Sequence, residues 1–314
     1  MKRIKEYVEY FLFRAVQQMA RLLTYPAAER LGRILGKLAF AVSASRRRVT
    51  LDNLKHAFPE KRQEELRVIA RRAFENYGIS LVEMLWSGQA GRKELAGLVR
   101  LENPEVAQRA REQGKGVILL GGHFGSWELM ASSLIICLGW NVSVIVQVQR
   151  NRKINDVIDS QRRRYMLATI PMGPSVREVL KTLQRKEAVF ILGDQSGPKE
   201  SLFVDFFGRP AATHKGTAAF SLRSGAPIVF VALLRQKDGT HKAVFEEVDR
   251  SGLDSASEEN VAELTRRHVA VLERYIRQYP DHWLWMHKRW KHTEYFQAHD
   301  SAKLPETSVN QDAE

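Results

Sequence analysis

The sequence has little of what covalent, metal-dependent and nucleotide-dependent enzymes use. Its 314 residues include one cysteine, Cys137, so neither an internal disulfide nor a cysteine-based zinc cluster can form. It has no G-x-S-x-G elbow, no H-E-x-x-H pair, no G-x-G-x-x-G turn and no Walker loop. These absences argue against an acyl-enzyme, a zinc hydrolase and nucleotide binding. We expect no metal and no cofactor, and we predict that Cys137, inside the apolar run SLIICLGW, is a core residue.

The sequence also lacks an unbroken hydrophobic run of membrane-spanning length. Glycines, His123, Glu128 and a G-W-N turn divide its longest weakly charged stretch, residues 116–149. This stretch is therefore predicted to be strand, turn, helix and strand rather than a spanning helix. No cleaved signal peptide is expected, because charged residues interrupt the apolar N-terminal stretch.

Acidic residues are outnumbered. The chain has 49 Lys and Arg against 36 Asp and Glu, a net charge of +13 and a pI near 9.9. Such a surface attracts nucleic acid, an anionic membrane, or an acidic protein or lipid. Nucleic acid is disfavoured, because the basic residues are scattered and no known nucleic-acid module is present. A non-catalytic basic protein that binds membranes stays open as an alternative.

The first hundred residues are predicted to be mostly helical. Residues 4–23 place apolar side chains at helical spacing, with basic residues in or beside the stripe. Such a helix can lie in an anionic membrane interface or pack on its own protein core, and the pattern alone leaves both open. Further helices are predicted at 27–45 and 61–87, with Arg46–Arg48 between them.

After residue 100 the pattern changes to alternating strands and helices. Strands are predicted at 117–120, 142–148, 188–194, 226–234 and 241–248, and helices at 126–138, 153–166, 175–186, 214–224 and 258–279. This order predicts an α/β fold with a sheet flanked by helices and functional groups at the carboxyl ends of strands. We expect a helical region at 1–100, which continues into an α/β catalytic region at 101–296, and a disordered tail at 297–314.

The segment GGHFGSWE (121–128) carries the most specific chemistry. His123 follows a predicted buried strand, and Glu128 falls in the first turn of the next predicted helix. A carboxylate there can hydrogen-bond one imidazole nitrogen and make the other nitrogen a better base. The pair suits the removal of a proton from a hydroxyl that attacks an acyl carbon. A histidine and a glutamate at this spacing are also common by chance, so further support is needed.

Several ordered blocks supply that support. GGHFGSWE resembles the H-x4-D/E motif of glycerolipid acyltransferases, in the form found in the lauroyl and myristoyl acyltransferases of lipid A biosynthesis. GDQSG (193–197), LFVDFFGRPAATHKGTAAFSLRSGAPIV (202–229) and WLWMHKRWK (283–291) are similar to that family's later motifs in the same order. The resemblance covers nearly the whole chain, up to about residue 292, and implies a mixed sheet flanked by helices, as in glycerolipid acyltransferases.

The resemblance also implies roles for single residues. His123 matches the family's catalytic base, Glu128 its acidic partner, and Asp194 and Gln195 its D-Q block. The family also implies an arginine after the second strand, which could bind phosphate or pair with Asp194, or form only an architectural salt bridge. The candidates for this arginine and for the substrate channel are Arg150, Arg162, Arg163, Arg164, Thr213 and Gly216.

Among these arginines we favour Arg163, by its spacing to Asp194. Arg150 lies in QRNRKINDVID, which lacks the prolines of the corresponding family stretch. Thr213 and Gly216 are expected to line an acyl or acceptor channel, or else to serve packing. The tryptophans Trp283, Trp285 and Trp290 are predicted to be core or interface residues.

The expected reaction is acyl transfer from acyl carrier protein or acyl-CoA to a hydroxyl of a lipid A precursor. We expect it at an anionic membrane surface, on the cytoplasmic face of the bacterial inner membrane. A lysophospholipid, an ornithine lipid or a glycolipid is the alternative acceptor. A thioester hydrolase that uses His123 and Glu128 to activate water is the alternative enzyme.

Overall fold

The computed structural model describes residues 2–165, 167–173 and 175–299. The helices are α1 (Lys2–Leu22), α2 (Tyr25–Val42), α3 (Ala44–Ala57), α4 (Gln63–Ser87), α5 (Arg92–Leu98), α6 (Pro104–Glu112), α7 (Trp127–Leu138), α8 (Arg152–Arg164), α9 (Ser175–Gln184), α10 (Gly216–Ser224), α11 (Glu258–Gln278) and α12 (Thr293–His299). The strands are β1 (Val99–Leu101), β2 (Val117–Gly121), β3 (Val142–Val146), β4 (Ala168–Pro171), β5 (Ala188–Leu192), β6 (Leu202–Asp205), β7 (Pro210–Thr213), β8 (Ile228–Arg235) and β9 (His241–Glu247). A 3₁₀ turn covers Pro280–His282.

The predicted α/β fold with a mixed sheet is confirmed. Seven strands form one sheet in the order β1-β9-β8-β2-β5-β3-β4. β9 runs antiparallel to β8, and the other neighbouring pairs are parallel. The central parallel strands β2 and β5 contain no polar side chain, as expected for strands covered on both faces. Successive residues of β2 point to opposite faces of the sheet, so Ile118 belongs to one hydrophobic cluster and Leu119 to the other.

Several elements were not predicted. The short strands β1, β4, β6 and β7 and the helices α3, α5 and α12 are short or carry weak periodic signal, whereas the nine-residue α6 is amphipathic and still was not predicted. The triple arginine Arg46–Arg48 lies within α3 rather than between two helices. Residues 297–299 complete α12, and the rest of the proposed tail lies outside the described residues. The boundary proposed near residue 100 stays a prediction, and Leu54 and Phe58 share one hydrophobic cluster with the sheet.

Glycines let α2 and α4 cross in direct backbone contact. A Cβ atom on Gly36 would lie 2.3 Å from the Phe74 carbonyl oxygen, and one on Gly78 would lie 2.3 Å from the Gly32 carbonyl oxygen. Side chains at these positions would force the helices apart, and the core between the helices would open. The close crossing fixes α2 against α4, which forms one wall of the cavity described below.

A buried ion pair joins α4 to the sheet. Glu83 is fully buried, and its Oε2 accepts a hydrogen bond from Arg235 Nη2 of β8 at 2.8 Å. Tyr25 donates a hydrogen bond to Glu83 Oε1 at 2.6 Å, and His241 Nε2 lies 3.1 Å from the same oxygen. Burial opposes ionisation, but Arg235 and His241 hold the pKa of Glu83 well below its usual range. A buried charge is tolerated here because its partners surround it.

The described helices include none that is both long enough and apolar enough to pass through a bilayer.

Gly36→Ala is expected to destabilise the protein by about 1–3 kcal/mol, because the added methyl group meets the backbone of α4. Gly97→Ala is the matched control, since no atom lies within 4 Å of the added Cβ in α5. The control should be neutral or more stable, because alanine favours a helix over glycine by about 1 kcal/mol. Urea unfolding of the two variants measures both effects, and equal stabilities would contradict the close crossing.

Candidate active site

Two adjacent parallel strands place the candidate catalytic groups side by side. Gly121, the last residue of β2, pairs with Leu192, the last residue of β5. His123 and Asp194 each follow two residues later, so both side chains stand at the same edge of the sheet. This is the edge where α/β proteins gather their functional groups.

His123 and Asp194 form a direct hydrogen-bonded pair. His123 Nδ1 lies 2.8 Å from Asp194 Oδ1, and the backbone N–H of His123 donates to Asp194 Oδ2 at 2.8 Å. The indole N–H of Trp283 donates to the same Oδ2 at 2.9 Å. Gly122 keeps the turn narrow, because a Cβ atom there would lie 3.3 Å from Asp194 Cγ. The carboxylate is only 2% exposed and is held on both oxygens.

Each partner shifts the pKa of the other. Burial favours the neutral form of Asp194, but His123 and Trp283 lower the pKa of Asp194 to about 2. Burial also disfavours protonation of His123, but Asp194 and then Glu128 outweigh it and raise the pKa of His123 above its usual value. Asp194 is therefore ionised, and neutral His123 carries its proton on Nδ1.

The second ring nitrogen of His123 is on the side chain that lines a cavity. With Nδ1–H donated to Asp194, Nε2 holds the lone pair, and the side-chain amide of Gln195 lies 3.3 Å from it. We assign Nε2 as the acceptor in this contact. The arrangement presents a basic nitrogen, oriented from behind by a carboxylate, to the open side of the site.

Glu128 does not make the predicted hydrogen bond to His123, because Asp194 occupies Nδ1. Glu128 Oε1 instead accepts a hydrogen bond from Arg162 Nη2 at 2.6 Å, and Arg162 Nε lies 3.3 Å from Oε2. The side chains of Arg162 and Glu128 are 15% and 22% exposed, and both line the cavity with His123. This two-point contact fixes the guanidinium against the first turn of α7.

Arg163 makes no ion pair with Asp194, and its expected role in phosphate binding stays a prediction. Arg163 is exposed, whereas its neighbour Arg162 reaches the cavity, and the acceptor atoms of Asp194 are taken by His123 and Trp283. Arg164 donates to the backbone oxygens of Gly88 and Gln89.

Arg150, Thr213 and Gly216 also stand apart from the cavity. Arg150 is largely exposed and lies 3.3 Å from Glu9 of α1. The hydroxyl of Thr213 is buried, and neither Thr213 nor Gly216 is among the described residues that line the cavity, although His214 between them is.

The C-terminal segment 283–291 closes the back of the site. Phe124 pairs with Trp283 across a short antiparallel bridge, and the N–H of Leu284 donates to the His123 carbonyl at 3.0 Å. The next residue, Gly125, has a φ of +58° and lies against β8. A Cβ atom there would lie 2.0 Å from the Leu233 oxygen. Only glycine fits such a position.

Arg289 anchors the same segment to the β6–β7 hairpin. It is 1% exposed and donates hydrogen bonds to the Ala212 carbonyl and the Thr213 hydroxyl, each at 2.6 Å. The predicted core location of Trp283, Trp285 and Trp290 agrees with their burial. Cys137, by contrast, is half-buried at the end of α7.

The cavity has a volume of about 720 Å³ and a mixed lining. Helices α4 and α7 and strands β3 and β5 contribute mostly apolar side chains: Tyr77, Leu81, Met84, Trp127, Ala131, Val144, Val146, Phe190 and Leu192. The loop after β5, the segment after β7 and the C-terminal segment contribute polar side chains: Gln195, Ser196, His214, His287 and Lys291. His123, Glu128 and Arg162 also line this cavity. Its volume and mixed lining suit a ligand with a long apolar part and a polar head.

Metal ligation has no support in the described residues, where no cluster of three or more His, Cys, Asp or Glu side chains could hold an ion.

Sequence reasoning missed Asp194 as the direct partner of His123 and did not single out His287. The signal for Asp194 was available, because both residues follow predicted strands that could be neighbours. Pairing two strands from a single sequence requires the strand order, which no local pattern gives.

The His123 imidazole is expected to titrate above its ordinary pKa of about 6.5. In Asp194→Asn the pKa should fall, because the dominant stabilisation of the charged ring is lost while burial remains. Glu128→Gln should lower the pKa of His123 less, since the charge of Glu128 raises this pKa less than Asp194 does. ¹H–¹⁵N NMR titration of labelled histidines measures all three values. An unchanged pKa in Asp194→Asn would contradict the pairing.

Comparison with known proteins places the chain in a family. Residues 2–292 match the family described as bacterial lipid A biosynthesis acyltransferase. The lipid A biosynthesis palmitoleoyltransferase of Escherichia coli (strain K12) is 27% identical over 277 residues, 86% of each chain. The lauroyltransferase of that organism is 27% identical over 274 residues, 86% of this chain and 87% of its own. Since the family match spans nearly the whole chain, the protein is an acyltransferase and belongs to the bacterial lipid A biosynthesis acyltransferases.

Proposed function

We propose that this enzyme moves a fatty acyl chain from acyl carrier protein or acyl-CoA to a hydroxyl of a lipid A precursor. The observation that carries the proposal is the His123–Asp194 pair, which borders a cavity lined by both apolar and polar side chains. The relatives named above transfer lauroyl and palmitoleoyl groups in lipid A biosynthesis. No nucleophilic side chain is needed, because the acceptor hydroxyl itself attacks the thioester.

His123 is the general base of this reaction. Its Nε2 takes the proton of the acceptor hydroxyl while the hydroxyl oxygen forms a bond to the thioester carbon. The C–S bond then breaks, and the proton passes from Nε2 to the departing sulfur. Asp194 stays ionised throughout and stabilises the imidazolium that forms between the two steps.

Glu128 and Arg162 form an ion pair in the cavity wall near His123. Glu128 favours the protonated state of His123 through its charge, without a hydrogen bond. Arg162 holds Glu128 at two points, and its guanidinium also pairs with Asp159 at 3.3 Å. We propose that Glu128 makes Nε2 of neutral His123 more basic and that Arg162 fixes Glu128 in this position.

The apolar side chains of the cavity lining hold the acyl chain. The walls of the cavity come from packed helices and buried strands, so an alkyl chain that enters it is removed from water. Leu81 and Met172 line the cavity and are also exposed. The apolar lining therefore continues to the surface, as a cavity that receives lipid requires.

The outer face of α1 is proposed to lie on the membrane. Its apolar stripe points away from the protein, with Phe11 65% and Leu12 63% exposed. The opposite side of the helix packs on the protein through Phe13 and Val16. An exposed stripe of this kind next to basic residues is typical of a helix in the bilayer interface. The net charge of +13 adds attraction to anionic lipid and to an acidic carrier protein.

Helix α1 also contacts the wall of the cavity. Asn151, the residue before α8, donates to the Glu6 carbonyl at 2.8 Å, and α8 carries Ile158 and Arg162 into the cavity. A membrane under α1 would thus lie close to the cavity entrance. We place the enzyme on the cytoplasmic face of the inner membrane, the side on which acyl thioesters are available.

His123→Ala and Asp194→Asn are expected to lower transfer strongly. In Asp194→Asn two N–H donors keep the amide oxygen at the Oδ2 position. The amide NH₂ then faces His123 Nδ1 and moves the imidazole proton to Nε2, the nitrogen that must be free. A wrong tautomer of this kind costs on the order of 10³–10⁴ in kcat.

Acyl carrier protein that carries a radiolabelled fatty acyl group, incubated with a lipid A precursor, measures this loss. Asp238→Asn, in the exposed turn after β8, is the matched control. Label in the precursor supports the proposed function. Label only in free fatty acid would identify a hydrolase, and no turnover would identify a binding protein. Full transfer by both His123→Ala and Asp194→Asn would refute the mechanism.

Phe11→Glu is expected to weaken binding to anionic vesicles, because it places a negative charge in the apolar stripe of α1. Val68→Glu, at an exposed apolar position of α4, is the control that should bind as the wild type does. Vesicle co-sedimentation measures binding, and thermal unfolding shows that both variants are folded. Equal binding of Phe11→Glu and wild type would rule out α1 as the membrane contact.

A further inference from the structure

A second imidazole lines the cavity beside the base. His287 belongs to the C-terminal segment 283–291, and its Nε2 accepts a hydrogen bond from the backbone N–H of Ser196 at 3.0 Å. A backbone N–H can only donate, so this nitrogen carries no proton. The ring proton of neutral His287 is therefore on Nδ1, where it is available for donation.

Nothing in the described part of the chain accepts that proton. Nδ1 of His287 has no partner among the described residues, and it is not one of their fully buried, unsatisfied polar atoms. The ring is half-buried, with one nitrogen held by the backbone and the other open. Since His287 lines the cavity, its N–H donor is accessible to a ligand there.

The surroundings keep this ring neutral. Burial is the main cause that lowers the pKa of His287; Asp194 opposes it, His123, Arg289 and Lys291 add to it, and the pKa falls to about 4. A neutral imidazole beside His123 gives up no proton to the base and does not repel the imidazolium that His123 becomes. A histidine kept neutral in this way can polarise a carbonyl group.

Consecutive residues of one loop position both rings. Gln195 places its side-chain amide 3.3 Å from His123 Nε2, and the N–H of Ser196 holds His287 Nε2. The loop follows β5, the strand that also presents Asp194. The two imidazoles therefore border one space, in which a group that reacts at His123 also meets His287.

We propose, on the basis of the function proposed above, that His287 is a catalytic residue whose Nδ1–H donates a hydrogen bond to the oxyanion of the tetrahedral intermediate. The hydroxyl oxygen bonds to the thioester carbon, the carbonyl π pair moves to oxygen, and the hydroxyl proton goes to His123 Nε2. When the C–S bond breaks, the carbonyl re-forms and the sulfur takes the proton back from His123. His287 keeps its own proton throughout.

The assigned role predicts a specific kinetic pattern. His287→Ala removes a donor that acts only when charge develops on oxygen, so kcat should fall by about 10²–10³ with the KM values of donor and acceptor little changed. His287→Gln keeps an acceptor for the Ser196 N–H and a donor toward the cavity. It should recover about tenfold or more of the lost rate.

Purified full-length variants are assayed with acyl carrier protein carrying labelled fatty acid and a lipid A precursor. A wild-type kcat in His287→Ala, a loss confined to KM for the acceptor, or a glutamine variant no better than alanine would each overturn the assignment. A wild-type enzyme that does not transfer acyl groups would overturn the proposed function instead. A wild type that transfers normally while His287→Ala keeps its rate would overturn only the role of His287.

The ¹⁵N spectrum of labelled histidine in the wild type decides the point even if a variant fails to fold. The His287 resonances, assigned by comparison with His287→Gln or by backbone correlation, should show a neutral ring protonated on Nδ1 from pH 5.5 to 8. A ring protonated on Nε2, or charged in this range, would overturn the proposal.

Discussion

The site depends on one buried carboxylate. An ionised aspartate inside a protein is strongly unfavourable unless donors replace the water it loses. Asp194 receives three such donors, from the His123 ring, the His123 backbone and the Trp283 indole. These donors come from the β2 loop and the C-terminal segment, and Asp194 itself follows β5. Satisfying one charge therefore brings three distant parts of the chain together and sets the orientation of the imidazole.

Much of the fold could be predicted because its signals are local. The central strands are continuous apolar runs, and their predicted positions agree with β2, β3, β5, β8 and β9 within a few residues. The candidate base was also predictable, since His123 follows a buried strand among glycines. Short edge strands such as β1 and β4 gave no signal, because three or four residues carry too little periodicity.

The details of the site were less predictable because they depend on angles and strand order. Neighbouring residues on a helix point about 100° apart. A choice of Arg163 instead of Arg162 thus selects the exposed face of α8 and misses the cavity. Glu128 is close to His123 in sequence and acts on its charge, yet the hydrogen bond goes to Asp194, 71 positions away. Sequence proximity gave the right electrostatic neighbour and the wrong hydrogen-bond partner.

The buried ion pair between Glu83 and Arg235 limits how the chain can be shortened. Helix α1 supplies none of the described hydrogen-bond partners of Glu83, so its removal would leave both charges paired. A chain that began after α4 would lose Glu83 and leave the Arg235 guanidinium, with a 6% exposed side chain, without its counter-ion. Such a loss costs about 3–5 kcal/mol, a large part of the stability of an ordinary domain. A soluble fragment for structural work should therefore begin before Tyr25, whose hydroxyl completes the cluster around Glu83.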